Sequence, residues 1–453
     1  MTGTVRVLVP VGMLGGGFPP DSVFRAAELG TDVIAVDGGS TDSGPHFLGT
    51  AQAKTARGAV AYDLRLILLA ATQAAIPVVI GSCGTSGTDS GVDWVYDIAA
   101  EVAAAEGLAL RVARIYSEQD PASLLPRLKA GRIRPLPPAG PLDAGTLLRC
   151  SHVVGVLGHE PIVDALEGGA DLVLAGRATD TALIAAVPLW RGLPAGPAWH
   201  GAKVSECGGL CTTRPSGSGV LVTFDAGGFT VEPLDPDASC TPMTVAAHML
   251  YENRDPFVMR EPGGTLDACG AAYTPVDDRR VRVEGSRFEP AEQYTTKLEG
   301  AAPAGFRTTA IVGIRDPKVL AQLEEFRLGV LAYLRASAIE KLGLGGDEFD
   351  LQLLAYGHDA LGSPLSADPP KEVGMVFTAT AKDQATASQL AKLANPVLLH
   401  APLPGASELP SYAFLGSPAE MERGPVHEFV LCHAVDVDSP SELFRTVFSE
   451  IGP

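Results

Sequence analysis

The sequence predicts an α/β protein: an N-terminal doubly wound, mostly parallel sheet, followed by an α+β half that contains a ferredoxin-like β-α-β-β-α-β unit. Three observations lead there. From residue 5 to about 190, short aliphatic runs alternate with helical patterns; those runs are apolar throughout; and the later runs adopt a two-residue alternation. Strands apolar on both faces belong to parallel sheets covered by helices, whereas alternation marks strands with one wet face. A chain of 453 residues exceeds one typical domain, so two are expected, 1–200 and 201–453, with the ferredoxin-like unit from about 306.

Taken in order, "RVLVPVG" precedes "PPDSVFRAAELG", where Pro20 suits a first helical turn and Gly30 a stop. "DVIAVDGG" precedes the long pattern "AKTARGAVAYDLRLILLAATQAA", and "PVVIGS" precedes "GVDWVYDIAAEVAAAEG". "ALRVARIYS" leads to "PASLLPRLKAG", "HVVGVLG" to "PIVDALEGGA", and "DLVLAGRA" to "DTALIAAVPLWRG", six strand-then-helix units in all. "GVLVTFDAGGFTVEP" and "DRRVRVEGSRF" have hairpin periodicity around a helical stretch at "TVAAHMLYEN". Then follow "FRTTAIVGI", one long helix over "PKVLAQLEEFRLGVLAYLRASAIEKLG", "FDLQLLAYG", "EVGMVFTATA", the helix "DQATASQLAKLANPVLLH" and "HEFVLCHAV", which is the β-α-β-β-α-β order. "PLSADPPK" reads as a loop between the middle strands.

The formal net charge of -19, with no basic tract, argues against nucleic-acid and anionic-membrane partners. The N-terminus lacks the pattern of a secretory signal, and "LRLILLAATQAAIPVVIGS" is interrupted by Arg65, Gln73 and Pro77, which suits a helix and a buried strand better than a membrane span. Seven scattered cysteines without CxxC spacing fit free thiols in a reducing compartment, so a cytoplasmic protein is expected.

In an open parallel sheet, ligands bind beyond the carboxyl ends of the strands. Four loops fall there. "DGGSTD" offers Asp37, Ser40, Thr41 and Asp42. "GSCGTSGTDS" is a glycine-rich turn into a helix, where Ser82, Gly84, Thr85 and Ser86 present amides and hydroxyls to an anion, although it matches no nucleotide motif. "LGHEP" carries His159, an acid-base group in reserve, beside Glu160, read chiefly as a helix cap. "AGRATD" places Arg177, a bidentate carboxylate grip, near Asp180, with an internal Arg177–Asp180 ion pair as the competing account. "AWHGAKVSECGGL" adds Lys203 and Glu206; Lys54 and Arg57 form either a basic rim or a solvated helix face. No His or Cys set completes a structural zinc site, so no metal ligands are assigned, while scattered carboxylates leave a Mg²⁺ open. "DGGST" and "DAGGFT" resemble the phosphate loops of actin-like kinases, but those sit in hairpins, and "DGGST" here follows a βαβ strand.

A resemblance spans nearly the whole chain. "IGSCGTSGTDSGVDW", "RIYSEQ", "GRATDTALIAAVPLWRG", "AWHGAKVSECGGL", "CTPMTVAAHMLYENRDP", "PGGTLD", "DDRRVRVEGSRF", "KLEGA" and "GIRDP" resemble, in this order, the acyclic terpene utilization AtuA family, with Cys83 and Gly209 as small departures. The resemblance implies breakdown of acyclic terpenes or related acids and acyl-CoA esters. It also implies a heteromer, because shorter relatives pair with a small, separately encoded ferredoxin-fold protein. It supplies no settled catalytic residues.

The expected activity is therefore that of a catabolic enzyme acting on a small carboxylic acid or acyl-CoA by hydratase or dehydratase (lyase) chemistry. Asp37, Asp42, Asp180, Glu206 and His159 are the acid-base candidates, and no redox cofactor is needed. Two other readings stand beside it: a noncatalytic metabolite-binding or scaffold subunit, and an acyl-CoA hydrolase. An oligomer is expected.

Overall fold

The computed structural model describes residues 3–251, 253–362, 368, 370–401 and 412–453. The chain forms two compact units, Met1–Ala302 with Phe429–Pro453, and Pro303–Glu428. The loop expected at 364–371 lies mostly outside the described residues. No helix among the described residues is long and apolar enough to cross a membrane.

The first unit is built on a mixed sheet of ten strands among the described residues. Their order is Ala272–Pro275, Val281–Glu284, Gly228–Pro233, Val220–Phe224, Val5–Val9, Val33–Asp37, Val78–Gly81, Leu172–Ala175, Leu110–Tyr116 and Arg445–Ile451. The five strands from Val5–Val9 to Leu110–Tyr116 run parallel, with Val7 opposite Val33 and Ile34 opposite Val78. The flanking strands add on antiparallel.

Alternate residues of the parallel strands feed two separate cores. Leu8, Ile34, Val36, Ile80, Val112 and Leu174 pack against the helices Pro20–Glu28, Arg57–Ala74 and Asp89–Glu106. Val7, Val33, Ala35, Val79, Ala113 and Val173 pack against Glu160–Glu167, Asp180–Trp190 and Ala195–Ser205. Each fully buried Val, Leu or Ile contributes about 1.5–3 kcal/mol, which explains why strands so apolar must be covered on both sides. Local chemistry sets the helix ends. Thr88 accepts a hydrogen bond from Gly91 N at the start of Asp89–Glu106, and Gly107, at φ +67°, ends it in the left-handed conformation.

Several expectations are corrected. The apolar run at His152–Val156 is a strand, but it does not join the parallel sheet; it pairs antiparallel with residues 297–301. Leu110–Tyr116 is flanked by Leu172–Ala175 on one side and by the unforeseen C-terminal strand Arg445–Ile451 on the other. A fully apolar run reports that a strand is buried and not which strand it pairs with. "DRRVRVEGSRF" gives antiparallel strands, as its period predicts, but divides them between two sheets: Val281–Glu284 belongs to the large sheet and Arg287–Pro290 to a three-stranded sheet with Val258–Glu261 and Gly264–Asp267. Gly285, at φ +93° and pressed against Gly270 O, turns the chain between them. The long helix expected from Pro317 is split into Pro317–Leu320 and Leu323–Leu342.

The second unit holds the succession strand, helix, strand, strand, helix, strand. Phe349–Tyr356 pairs with Val373–Ala381, which pairs with residues 306–314 of Thr295–Ile314; Glu420–Asp436 follows in the order. Leu323–Leu342 and Gln384–His400 pack on these strands through Phe326, Val330, Leu334, Leu390 and Leu398.

Candidate functional site

The carboxyl ends of the parallel strands carry the polar groups of the first unit. Val33–Asp37 ends in Asp37, and the turn beyond it closes when Gly39 N donates to Asp37 Oδ2 at 2.9 Å. The next strand is so close that Gly38 N donates to Gly81 O at 2.7 Å, and a Cβ on Gly39 would lie 2.5 Å from Thr85 Cα. Glycine is required at that approach. Ser82 and Thr85 hold positive φ of 45° and 80°, a conformation that costs non-glycine residues free energy and that neighbouring structure must enforce. Arg177 provides part of that enforcement: its N–H donates to Ser117 Oγ at 2.7 Å and to Gly87 O at 3.1 Å.

The Arg177 side chain is buried and engaged through Nε and Nη1. Its Nε donates to Glu299 Oε2 at 3.0 Å, and its Nη1 to Ser82 Oγ at 3.1 Å and Ala178 O at 2.7 Å, while Asp180 Oδ1 stands 3.8 Å away. Glu299 also accepts from Thr41 Oγ1 at 2.9 Å and meets Lys297 Nζ at 2.6 Å. Burial opposes ionisation of Glu299, but Arg177 and Lys297 outweigh it and hold the carboxyl at about 2. Burial likewise opposes the charge on Arg177, yet Glu299, Asp180 and Asp37 raise its pKa above the ordinary value. The internal ion pair anticipated for Arg177 is therefore real, with Glu299 rather than Asp180 as the nearer partner.

Beside this knot opens a cavity of about 720 Å³, lined by Ser40, Asp42, Arg177, Asp180, Lys203 and Glu206 of the anticipated residues. Among the further lining residues are Thr181, Arg254, Asp255, Arg260 and Glu261. Lys203 Nζ lies 2.5 Å from Glu206 Oε1, one helical turn apart at the end of Ala195–Ser205. Burial raises Glu206 to about 8; Lys203 opposes this, and the like charges of Asp180 and Glu261 add to it. Glu261 accepts from Thr181 Oγ1 at 2.7 Å and is pushed up to about 7, chiefly by burial, with Thr181 and Lys203 opposing and Asp180 adding. Asp37 lies outside the lining and is buried; desolvation and then Asp180 raise its pKa well above the ordinary value, partly offset by Arg177. Its Oδ1 has no hydrogen-bond partner among the described residues.

The remaining anticipated residues sit elsewhere. Thr85 and Ser86 are fully buried: Thr85 Oγ1 accepts from Lys54 N at 2.8 Å and Ser86 Oγ donates to Phe47 O at 3.3 Å. Gly84, at φ +67°, would place a Cβ 2.5 Å from Gly91 Cα, so it serves the packing of its loop. Lys54 Nζ donates to Ser43 Oγ at 3.3 Å. Arg57 pairs with Glu101 on an exposed helix face, as the solvated-face account expects. His159 is outside the lining, edge-on to Trp199 at 5.6 Å between ring centroids, and burial lowers its pKa against the opposing charge of Glu160. Glu160 accepts from Tyr294 OH at 2.9 Å.

Sequence reasoning passed over Glu261, Glu299, Arg254 and Arg260. Glu299 lies within "KLEGA", a segment recognised for its resemblance, but a lone glutamate on a strand carries no local signal of its partner 122 residues away. Arg260 and Glu261 sit on Val258–Glu261, a strand of the small sheet.

Fold and site together define a class: a mixed α/β protein with a carboxylate-rich cavity at the carboxyl ends of parallel strands. The chain belongs to the acyclic terpene utilisation family AtuA, whose model matches residues 57–414, and the family name ties it to acyclic terpene utilisation. That match covers most of the cavity lining and begins after Asp37, Ser40 and Asp42. No curated protein and no solved structure matches the chain.

Proposed function

We propose that the cavity binds a small branched carboxylate or its acyl-CoA ester and carries out hydratase or dehydratase chemistry on it. One observation supports this most. Arg254 and Arg260, which form no ion pair among the described residues, line the same cavity as Asp180 and Glu261. Two uncommitted guanidinium groups suit a carboxylate or phosphate. A carboxyl poised at about 7 suits proton transfer in both directions near neutral pH. In this reading Arg254 and Arg260 hold the anion, and Glu261 removes the proton beside the carbonyl. Asp180 is the second acid-base group, protonating the departing hydroxyl in dehydration and deprotonating water in the reverse step. Arg177, held by Glu299, Ser82 and Ala178 through Nε and Nη1, positions Asp180 and Asp37 in this reading.

Seven cysteines, none in a disulfide, fit a reducing cytoplasm. The helices on both faces of the parallel strands support a doubly wound reading of the first unit. The strand order of the second supports a ferredoxin-like one. A small separately encoded ferredoxin-fold subunit, implied by the family resemblance, belongs to the same proposal.

The test is to offer the purified protein matched pairs of α,β-unsaturated and β-hydroxy acids of acyclic branched chains, as free acids and as CoA esters, and to follow gain or loss of water by mass. Interconversion in at least one pair is expected. Free CoA release without any double-bond change would assign hydrolysis instead.

A further inference from the structure

We propose that Glu206, Cys207 and His248 form a three-ligand site for a zinc-class transition-metal ion, with its remaining coordination position directed to the cavity that Glu206 lines. One carboxylate oxygen, one sulfur and one ring nitrogen of these residues lie within 4.8 Å of one another. The local fold accounts for the convergence. Glu206 and Cys207 follow directly on the helix Ala195–Ser205, where the chain leaves helical geometry and Gly208, at φ +59°, turns it away. His248 closes the helix Pro242–His248, which packs against the first.

A second observation comes from His248 itself. The residue is 5 % exposed, and its Nε2 is buried without a hydrogen-bond partner among the described residues. Buried polar atoms are nearly always satisfied, so an orphaned nitrogen on an imidazole ring that itself reaches within 4.8 Å of a thiol and a carboxylate calls for a missing partner. The donor set chooses the kind of ion. Mixed nitrogen, sulfur and oxygen ligands suit zinc and its neighbours, whereas Mg²⁺ and Ca²⁺ take oxygen almost alone. Ligand atoms around a tetrahedral zinc stand roughly 3.3–3.8 Å apart, so the three side chains need draw in by only about 1 Å. Three protein ligands with one open position is the arrangement of reactive zinc sites, in contrast to closed structural ones.

Lys203 is the competing cation, since its ammonium already meets Glu206 Oε1 at 2.5 Å. An incoming ion must share the carboxylate through its other oxygen or displace Lys203. If the lysine alone neutralises Glu206, no metal binds. The proposal does not rest on the lyase reading, because metal binding is read without any substrate.

The experiment titrates chelator-stripped full-length protein with cobalt(II) under anaerobic conditions and records the absorption spectrum. The expected result is one cobalt per chain, with a thiolate-to-cobalt charge-transfer band and the intense visible bands of a tetrahedral ion, both reversed by zinc. Cys207→Ser should remove the charge-transfer band, and His248→Gln should weaken binding by at least about tenfold, the smallest loss that even outer-shell changes bring to such sites. Replacing the exposed Cys269 by Ser should leave the spectrum unchanged. Absence of stoichiometric binding, a wild-type spectrum without a thiolate band, or a band that survives Cys207→Ser would each overturn the site. Because the wild-type spectrum decides on its own, a variant that fails to fold does not protect the proposal.

Discussion

Replacing Glu299 by Gln should destabilise the first unit by about 3 kcal/mol at pH 7. Glu299 is 5 % exposed, so solvent screening does little to reduce its interactions. Lowering a glutamate from its ordinary 4.5 to about 2 corresponds, at about 1.4 kcal/mol per pH unit, to about 3 kcal/mol of preference for the folded state. Removing one partner of a buried pair costs a similar amount, roughly 3–5 kcal/mol, because the other charge is left uncompensated. Glutamine keeps an acceptor for Thr41 and for Arg177 Nε, and Asp180 at 3.8 Å remains, so the lower end of that range is expected. The sign with pH follows from a depressed folded-state pKa: the contribution is complete above about 4.5 and vanishes as pH falls through about 2. Urea unfolding followed by tryptophan fluorescence reads the right unit, since Trp94, Trp190 and Trp199 all lie in it. Wild type and E299Q should differ by about 3 kcal/mol at neutral pH and converge in acid. A difference below about 1 kcal/mol at pH 7, or one that does not change with pH, would refute the account of Arg177 as held by a buried counter-charge.

Further outcomes are expected from the same geometry. Glu261→Gln should abolish most turnover; the wild-type kcat/KM profile should rise with an apparent pKa of about 7, and that limb should be missing from any residual activity. The groups facing Glu261 are Asp180, Lys203 and Thr181, so Asp180→Asn should move the limb to lower pH by removing a like charge. The double change Arg254→Ala and Arg260→Ala should raise KM at least about tenfold, with little effect on melting temperature, since neither group forms an ion pair among the described residues. Gly87→Ala places a Cβ 2.1 Å from Arg177 N at φ +66° and should cost more than about 2 kcal/mol in the same urea assay. Gly58→Ala, on the exposed face of Arg57–Ala74 with nothing within 4 Å, should be neutral or slightly stabilising.

What the sequence disclosed followed a physical rule. Asp37, Arg177 and Asp180 were legible because they stand at the ends of apolar strands, where a parallel sheet presents its loops. Lys203 and Glu206 were legible only as polar groups of "AWHGAKVSECGGL"; the structure sets them one turn apart at the end of Ala195–Ser205. Thr85 and Ser86 were misplaced because a glycine-rich polar loop reads as exposed, whereas here Gly39 and Gly87 let neighbouring backbones close over it. Glu261, Glu299 and His248 were invisible because the groups they meet are remote in sequence, which periodicity does not encode. The strand His152–Val156 was misassigned for the same reason.

The central claim is that this cavity moves a proton beside a carbonyl. It is tested most directly by incubating the protein in D₂O with an acyclic α,β-unsaturated or β-hydroxy acyl-CoA and measuring deuterium at the α-carbon by mass spectrometry. The account predicts deuterium incorporation coupled to gain or loss of water in the wild type, and neither in Glu261→Gln. Tight binding of the ester with no exchange in the wild type would contradict it and leave the chain a binding subunit.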